Sequence, residues 1–175
     1  IINQYLKWRF NGERETIETR NLIKKAYTPF VDIPGYKTND AIDKMLEALR
    51  RAKMELVPIE DVSVEIDDKI YPFQDIFYKY LELQRNNSFF NFDDMIYLTL
   101  RILLDNGVAR CALQNRFQYI LVDEFQDLTE AQILLMQILS LPFNNLFIVG
   151  DDDQMIYGWR GAKTSYIINF PNRYK

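Results

Sequence analysis

At 175 residues the chain can bury one sizeable core, or one core with a smaller satellite. A hydrophobic share of 48% with 14% aromatic residues excludes a disordered polymer, and no apolar run approaches the ~18–20 residues of a bilayer span, so a soluble protein with no membrane partner is expected. The absence of histidine excludes histidine general bases, Ser–His–Asp and Cys–His catalysis and histidine zinc sites, which leaves any chemistry to carboxylates, amides, Arg, Lys or Tyr.

Cys111 is the single cysteine, so no intrachain disulfide can form, and a reducing, cytoplasmic location is expected. The N-terminal stretch IINQYLKWRFNGERE has no apolar segment after a basic start and does not read as a secretory signal. The net charge of −4 is unevenly distributed. Residues 1–88 carry 14 basic and 15 acidic side chains, whereas residues 89–175 carry 7 and 10. Six of those ten acids form two short clusters, Asp123, Glu124 and Asp127, then Asp151, Asp152 and Asp153. Negative charge is thus gathered at two points, as a cation site requires.

In chain order, a first helix is expected over Glu15–Ala26, with Ile17 and Leu22 irregularly placed. Ile42, Met45, Leu46, Leu49, Lys53 and Leu56 then follow helical spacing after Pro34-Gly35 and before Pro58, with Thr38, Asn39 and Asp40 available as caps. Charges alternate on these helices and suit solvated faces; Lys24-Lys25 and Arg50-Arg51-Lys53 are also candidate contacts to duplex phosphates. Glu60–Lys69, acidic and β-branched, reads as a loop with a short extended piece. Phe73, Ile76, Phe77, Tyr80 and Leu81 form another apolar face just after Pro72.

The second half changes character, with a boundary near Asn86–Phe92. Asp93-Asp94 open an apolar helix from Met95 to about Asp105, with Asn106-Gly107 in a helix-stopping position. Tyr119–Val122 and Leu146–Val149 read as short buried strands, and between them Thr129-Glu130 cap a helix that Pro142 stops. This strand–helix–strand unit predicts a parallel, right-handed pair. Parallel strands present their C-terminal ends on one edge, where open α/β sheets place ligands. One strand runs into Asp123-Glu124-Phe125-Gln126-Asp127 and the other into Gly150-Asp151-Asp152-Asp153-Gln154. An apolar strand ending in Asp-Glu has the chemical form of a Walker B site, where the first acid supports Mg²⁺ and the second orients or deprotonates water. Taken alone, such a pair equally suits a solvated turn or a helix start, and Asp127 suits the N-terminus of the following helix.

ILVDEFQD followed by FIVGDDDQMIYGWRGA resembles the second and third helicase motifs of the UvrD/Rep family of superfamily-one DNA helicases. The likeness extends back through FNFDDMIYLTLRIL, covers residues 89–163 specifically, and is looser over residues 1–88. It implies an α/β fold, with residues 89–175 as the C-terminal part of a RecA-like P-loop NTPase motor domain and residues 1–88 as a mainly helical inserted subdomain. Asp123 would support Mg²⁺, Glu124 would be the catalytic carboxylate, and Gln154 would contact the γ-phosphate or the attacking water, so that these three hold the nucleotide. Trp159 would stack on a base of single-stranded DNA, Arg160 would lie between the ATP site and the DNA, and Tyr157 would line the DNA track. Gly158 and Gly161 suit close backbone approach or positive φ, and Asp151 and Asp152 suit a turn.

The implied activity is ATP-dependent translocation on single-stranded DNA with unwinding at a single-strand/duplex junction, of 3′-to-5′ polarity, with ATP and Mg²⁺ as cofactors and DNA repair among the roles open to it. None of the glycines begins the phosphate-binding pattern GxxxxGK[ST]. The chain is therefore expected to be an internal piece of a helicase, completed by upstream and downstream parts of the same polypeptide and inactive alone. Two other classes fit the residues less fully. A metal-dependent nuclease or phosphatase built on the clustered acids leaves Gln154 and the Tyr-Gly-Trp-Arg run unused, and a non-catalytic interaction module leaves the acids as mere surface.

Overall fold

The computed structural model describes residues 1–8, 10–155, 158, 161–163 and 165–173, with backbone alone for Asn3, Tyr5, Tyr36 and Arg173. Contacts divide the chain into two compact units, Ile1–Met95 and Ile96–Lys175, with the division inside a helix.

In the first unit, a short helix α1 (Ile2–Tyr5) precedes α2 (Glu15–Tyr27), α3 (Thr38–Met54) and α4 (Gln74–Asn87). Each longer helix buries one stripe. Leu22, Ile23, Ala26 and Tyr27 face inward on α2, whereas Ile17 is exposed. Ala41, Ile42, Met45, Ala48, Leu49 and Ala52 do so on α3, and Ile76, Phe77, Tyr80 and Gln84 on α4. The three, four and seven spacing places these residues on a single face. The predicted side-chain caps of α3 do not form: Lys37 occupies the cap position without a side-chain bond, and Asp40 lies in the first turn. Charges pair along the helices, as half-buried Arg50 does with Glu47 and Lys79 with Glu82.

The acidic segment after α3 is more ordered than a loop. β1 (Ser63–Ile66) and β2 (Lys69–Pro72) form an antiparallel hairpin, with Ile66 opposite Lys69. Asp67 and Asp68 both have positive φ (54° and 59°), the requirement of a tight primed turn, and Asp tolerates that region through local hydrogen bonding. Val64 and Ile66 are buried while Ser63 and Glu65 are exposed, the alternation of a half-buried strand.

The first unit is organised around one buried charge pair. Lys53 Nζ lies 2.5 Å from Asp94 Oδ1, and both side chains are 0% exposed. Asp94 Oδ2 also accepts from the Gln84 amide and, at 3.0 Å, from the Asn91 backbone N–H. In return, Asp94 N–H donates to Asn91 Oδ1 at 2.9 Å, so residues 91 and 94 cap helix α5 (Phe92–Asp105) reciprocally. The Lys53 ammonium also sits 4.6 Å from the centre of the Tyr80 ring. Lys53 is thus removed from the basic patch proposed for duplex phosphates, and Arg50 is held by Glu47 and Glu55. Burial, followed by the charges of Asp94, Glu15 and Asp93, pushes the Tyr80 hydroxyl well above its ordinary value. Desolvation also raises Asp93, with Lys53 opposing it and Asp94 adding to it.

In the second unit, α5 ends at Asp105, as expected, and Asn106-Gly107 also begin another helix. Asn106 is extended (φ −124°, ψ 96°), and its side chain accepts from Ala109 N–H at 3.0 Å, starting α6 (Gly107–Arg116). Arg110 reaches back to the Leu103 carbonyl at 2.8 Å and so satisfies the end of α5. β3 (Ile120–Val122) and β4 (Leu146–Ile148) pair in parallel, with Ile120 opposite Leu146 and Val122 opposite Ile148. They are joined through α7 (Glu130–Ser140), whose Thr129–Gln132 capping box is complete. Short helices α8 (Ser165–Ile168) and α9 (Phe170–Arg173) follow.

Ile120, Val122, Leu146 and Ile148 pack on a core of Phe125, Ile133, Met136 and Tyr166. The alternate residues Leu121 and Phe147 remain 76% and 62% exposed, so among the described residues the strands read from the sequence as buried are covered on one face. The reason is the period-two alternation, with α7 and α8 contributing to a single side.

Replacing Lys53 with Met should destabilise the first unit by about 3 kcal/mol, because Asp94 would keep its neutral donors but lose its counter-charge. Urea denaturation measures this, and a loss below ~1 kcal/mol would show that Gln84 and Asn91 suffice. Thr129→Ala should cost roughly 0.5–2 kcal/mol through loss of the α7 cap, read as a lower urea midpoint with unchanged slope.

Candidate nucleotide site at the strand ends

The parallel ladder continues past both strand ends. Val149 N–H donates to the Val122 carbonyl at 2.8 Å, and Phe125 N–H donates to the Val149 carbonyl at 2.9 Å. Between these bonds the chain turns sharply at Glu124, which adopts the left-handed conformation (φ 51°, ψ 43°). For a non-glycine residue that conformation is uncommon and costs of order 1 kcal/mol. It drops Phe125 into the core, where its ring meets Phe170 edge-on with centroids 5.3 Å apart. Asp123 and Glu124 are left exposed at the strand tip.

The turn also buries Gln126, which is 1% exposed. Its Nε2 donates to Glu124 Oε2 at 2.7 Å, while its Oε1 accepts the Asp151 backbone N–H at 2.9 Å. Gln126 therefore bonds both loops at once. Gly150 makes this possible: a Cβ there would stand 2.6 Å from Gln126 Oε1, 2.9 Å from Ile167 Cδ1 and 3.1 Å from the Phe125 nitrogen.

On the second loop, Asp151 caps the short turn Asp152–Gln154. Its Oδ1 accepts Asp153 N–H at 3.0 Å, and its Oδ2 accepts the Gln154 amide at 2.6 Å. Asp151 is accordingly a turn former, as the sequence suggests. Asp152 and Asp153 are exposed. Asp127 closes the short helical turn after Glu124, and its Oδ1 is buried without a hydrogen-bond partner among the described residues.

The structure thus brings Asp123, Glu124 and Gln154 to the ends of two adjacent strands. Tyr157, Trp159 and Arg160 lie outside the described residues. Gly161 has φ 91°, as expected; among the described residues, a Cβ at Gly158 would meet the Met155 side chain at 3.6 Å, an ordinary contact. Sequence reasoning missed Gln126 and Gly150. The available signal was position: an amide two residues after the acidic pair, opposite a glycine that directly follows the neighbouring strand.

Asp123 Oδ1 accepts Glu124 N–H at 2.9 Å, and its other oxygen is open among the described residues. A single exposed carboxylate fits Mg²⁺, which keeps several waters and binds through one or two carboxylates together with substrate phosphates. Among the described residues no group of three acidic or cysteine side chains is arranged to hold a metal, and no helix is long and apolar enough to cross a membrane.

Residues 3–175 match the model of the UvrD/REP helicase N-terminal domain. The chain is 34% identical over 175 residues to a putative ATP-dependent DNA helicase, YjcD, of Bacillus subtilis, covering 96% of this chain and 22% of that protein. It is 39% identical over 162 residues to the ATP-dependent DNA helicase PcrA of Staphylococcus epidermidis, covering 92% and 20% respectively. A probable DNA helicase II homologue of Mycoplasma capricolum is 35% identical over 133 residues, covering 75% and 18%. The chain thus spans about a fifth of the length of these relatives. With a mixed α/β unit, parallel strands and acidic strand ends beside this match, the chain belongs to the UvrD/REP helicase N-terminal domain family.

Proposed function

We propose that the chain is part of an ATP-dependent DNA helicase that couples ATP hydrolysis to 3′-to-5′ movement along single-stranded DNA and to unwinding at duplex junctions. The observation that carries this reading is the convergence of the Asp123-Glu124 loop and the Asp151–Gln154 loop at the ends of adjacent parallel strands, joined by Gln126. The reading applies to a longer polypeptide, because the relatives are about five times the chain's length. Residues 89–175 form part of a RecA-like motor domain and residues 1–88 a helical subdomain inserted in it. A phosphate-binding loop and a second motor domain belong to other parts of that polypeptide. A cytoplasmic location is proposed with it, on the single-cysteine composition.

Asp123 would hold Mg²⁺, which supplies charge neutralisation at the β- and γ-phosphates when bound. Glu124, one residue beyond, offers an exposed carboxylate able to orient a water or accept its proton. Gln154, whose amide rests on Asp151, offers both a donor and an acceptor to a γ-phosphate or the attacking water. Trp159 would supply a stacking surface for a base, Arg160 would lie between the ATP site and the DNA, and Tyr157 would line the DNA track, so residues assigned to phosphate and to DNA follow one another closely in sequence. A small rearrangement at the nucleotide can therefore reach the DNA through the backbone of one loop.

In the full-length protein, Glu124→Gln should lower the turnover number for ATP by about 10²–10⁴-fold, measured by phosphate release. The isolated chain should release no phosphate above background, and turnover abolished by Glu124→Gln would refute that expectation. Trp159→Ala should raise the single-stranded DNA concentration for half-maximal stimulation roughly 5–150-fold, corresponding to 1–3 kcal/mol of stacking, and leave DNA-independent turnover nearly intact. Equal loss of stimulated and unstimulated turnover would argue against the stacking role.

A further inference from the structure

Gln126 carries a role beyond the residues assigned above. Its amide is buried, and its two ends bond two different loops: Nε2 holds Glu124 Oε2 and Oε1 holds the Asp151 N–H. Among the described residues, this is the only hydrogen bond that the Glu124 carboxylate accepts. Glu124 is otherwise an exposed side chain on a left-handed turn, and holding a glutamate in one rotamer costs conformational entropy that such a bond must offset. A planar amide held at its oxygen has a fixed nitrogen direction, so the position of the Asp151 backbone determines where the Glu124 carboxylate is held. Asp151 in turn carries the Gln154 amide on its own carboxylate. One hydrogen-bonded chain thus runs from Gln154 through Asp151 and Gln126 to Glu124. Gly150 is the space in which the middle link lies.

We infer that Gln126 is a positioning residue for ATP hydrolysis, holding the Glu124 carboxylate in a direction set by the Asp151–Gln154 loop. The inference rests on the functional reading above. It assigns no contact between Gln126 and nucleotide or DNA. Movement of the loop that draws the Asp151 N–H away from Oε1 releases the amide, and with it the carboxylate.

Two substitutions in the full-length protein separate the two bonds. Gln126→Met keeps the volume and removes both. Gln126→Glu keeps an oxygen acceptor for the Asp151 N–H but replaces the donor facing Glu124 with a like charge. Both should lower the turnover number for ATP by about 10–100-fold, the scale of a misplaced catalytic group, with KM for ATP within about twofold and nucleotide affinity by equilibrium binding unchanged. Gln126→Glu should be at least as impaired as Gln126→Met, although it retains the loop bond.

Unchanged turnover in Gln126→Glu would overturn the inference. A parallel rise in KM and loss of nucleotide binding would also overturn it, by showing a merely structural role. If Gln126→Glu does not fold, Gln126→Met decides the matter: a lowered turnover number with KM for ATP unchanged supports the inference, and an unchanged turnover number overturns it. Absence of DNA-stimulated ATP turnover in the unmodified full-length protein would sink the functional reading and this inference with it. Turnover in the unmodified protein with both Gln126 variants unimpaired would sink this inference alone.

Discussion

The parallel pairing of β3 and β4 is the constraint on which the second unit depends. Two strands running the same way must end on the same edge, so the chain leaving Val122 and the chain leaving Ile148 emerge side by side. The ladder does not stop there: the Val149 and Phe125 backbone bonds carry it around the turn. The two loops beyond the strands are thereby brought into contact, although Gln126 and Asp151 lie 25 residues apart in sequence. Without the α7 crossover, whose capped start and apolar face return the chain in the same direction, the acids and the amides would be distant neighbours.

Strain and burial in the acidic loop then serve the site. The left-handed Glu124 is unfavourable by itself, and the cost is offset because the turn sends Phe125 into the core and Gln126 beneath the neighbouring loop. A buried glutamine must satisfy its polar ends, and here each end is bonded by a different loop. In the first unit Asp94 has a comparable organising role, joining α3, α4 and the start of α5 through Lys53, Gln84 and Asn91. The two arrangements differ in consequence. Asp94 is sealed and inert, whereas the Gln126 network ends at Glu124, a carboxylate open to solvent.

Much of this was legible in the residues. The helices α2, α3, α4 and α7 come from apolar spacing, and the strands from short apolar runs bounded by polar turns. The hairpin Ser63–Pro72 was obscured because its turn uses Asp67-Asp68 instead of a glycine pair, and acidic residues read as loop. Helix α6 was obscured because Asn106-Gly107 can end one helix or begin another, and the choice lay in whether Asn106 took an extended or a left-handed backbone. Lys53 sat on the apolar face of its helix, a sign of burial that its charge concealed. The acids at the strand tips were readable as a candidate site; the amide that bonds Glu124 was not, because hydrogen bonding across loops leaves no trace in local spacing.

By itself, the sequence determined which residue types could do chemistry, where the strands would end, and the order Asp123, Glu124, Gln154. These are consequences of composition and of periodicity along the chain, which local forces dictate. Only the tertiary structure decided that Gln126 would bond both loops, that Gly150 would make room for it, and that Phe125, Ile133, Met136 and Tyr166 would build a core against the β3–β4 pair. Those outcomes depend on which distant backbone groups meet. Pairing between strands separated by a helix is settled by the burial of the whole unit, and no segment carries it alone.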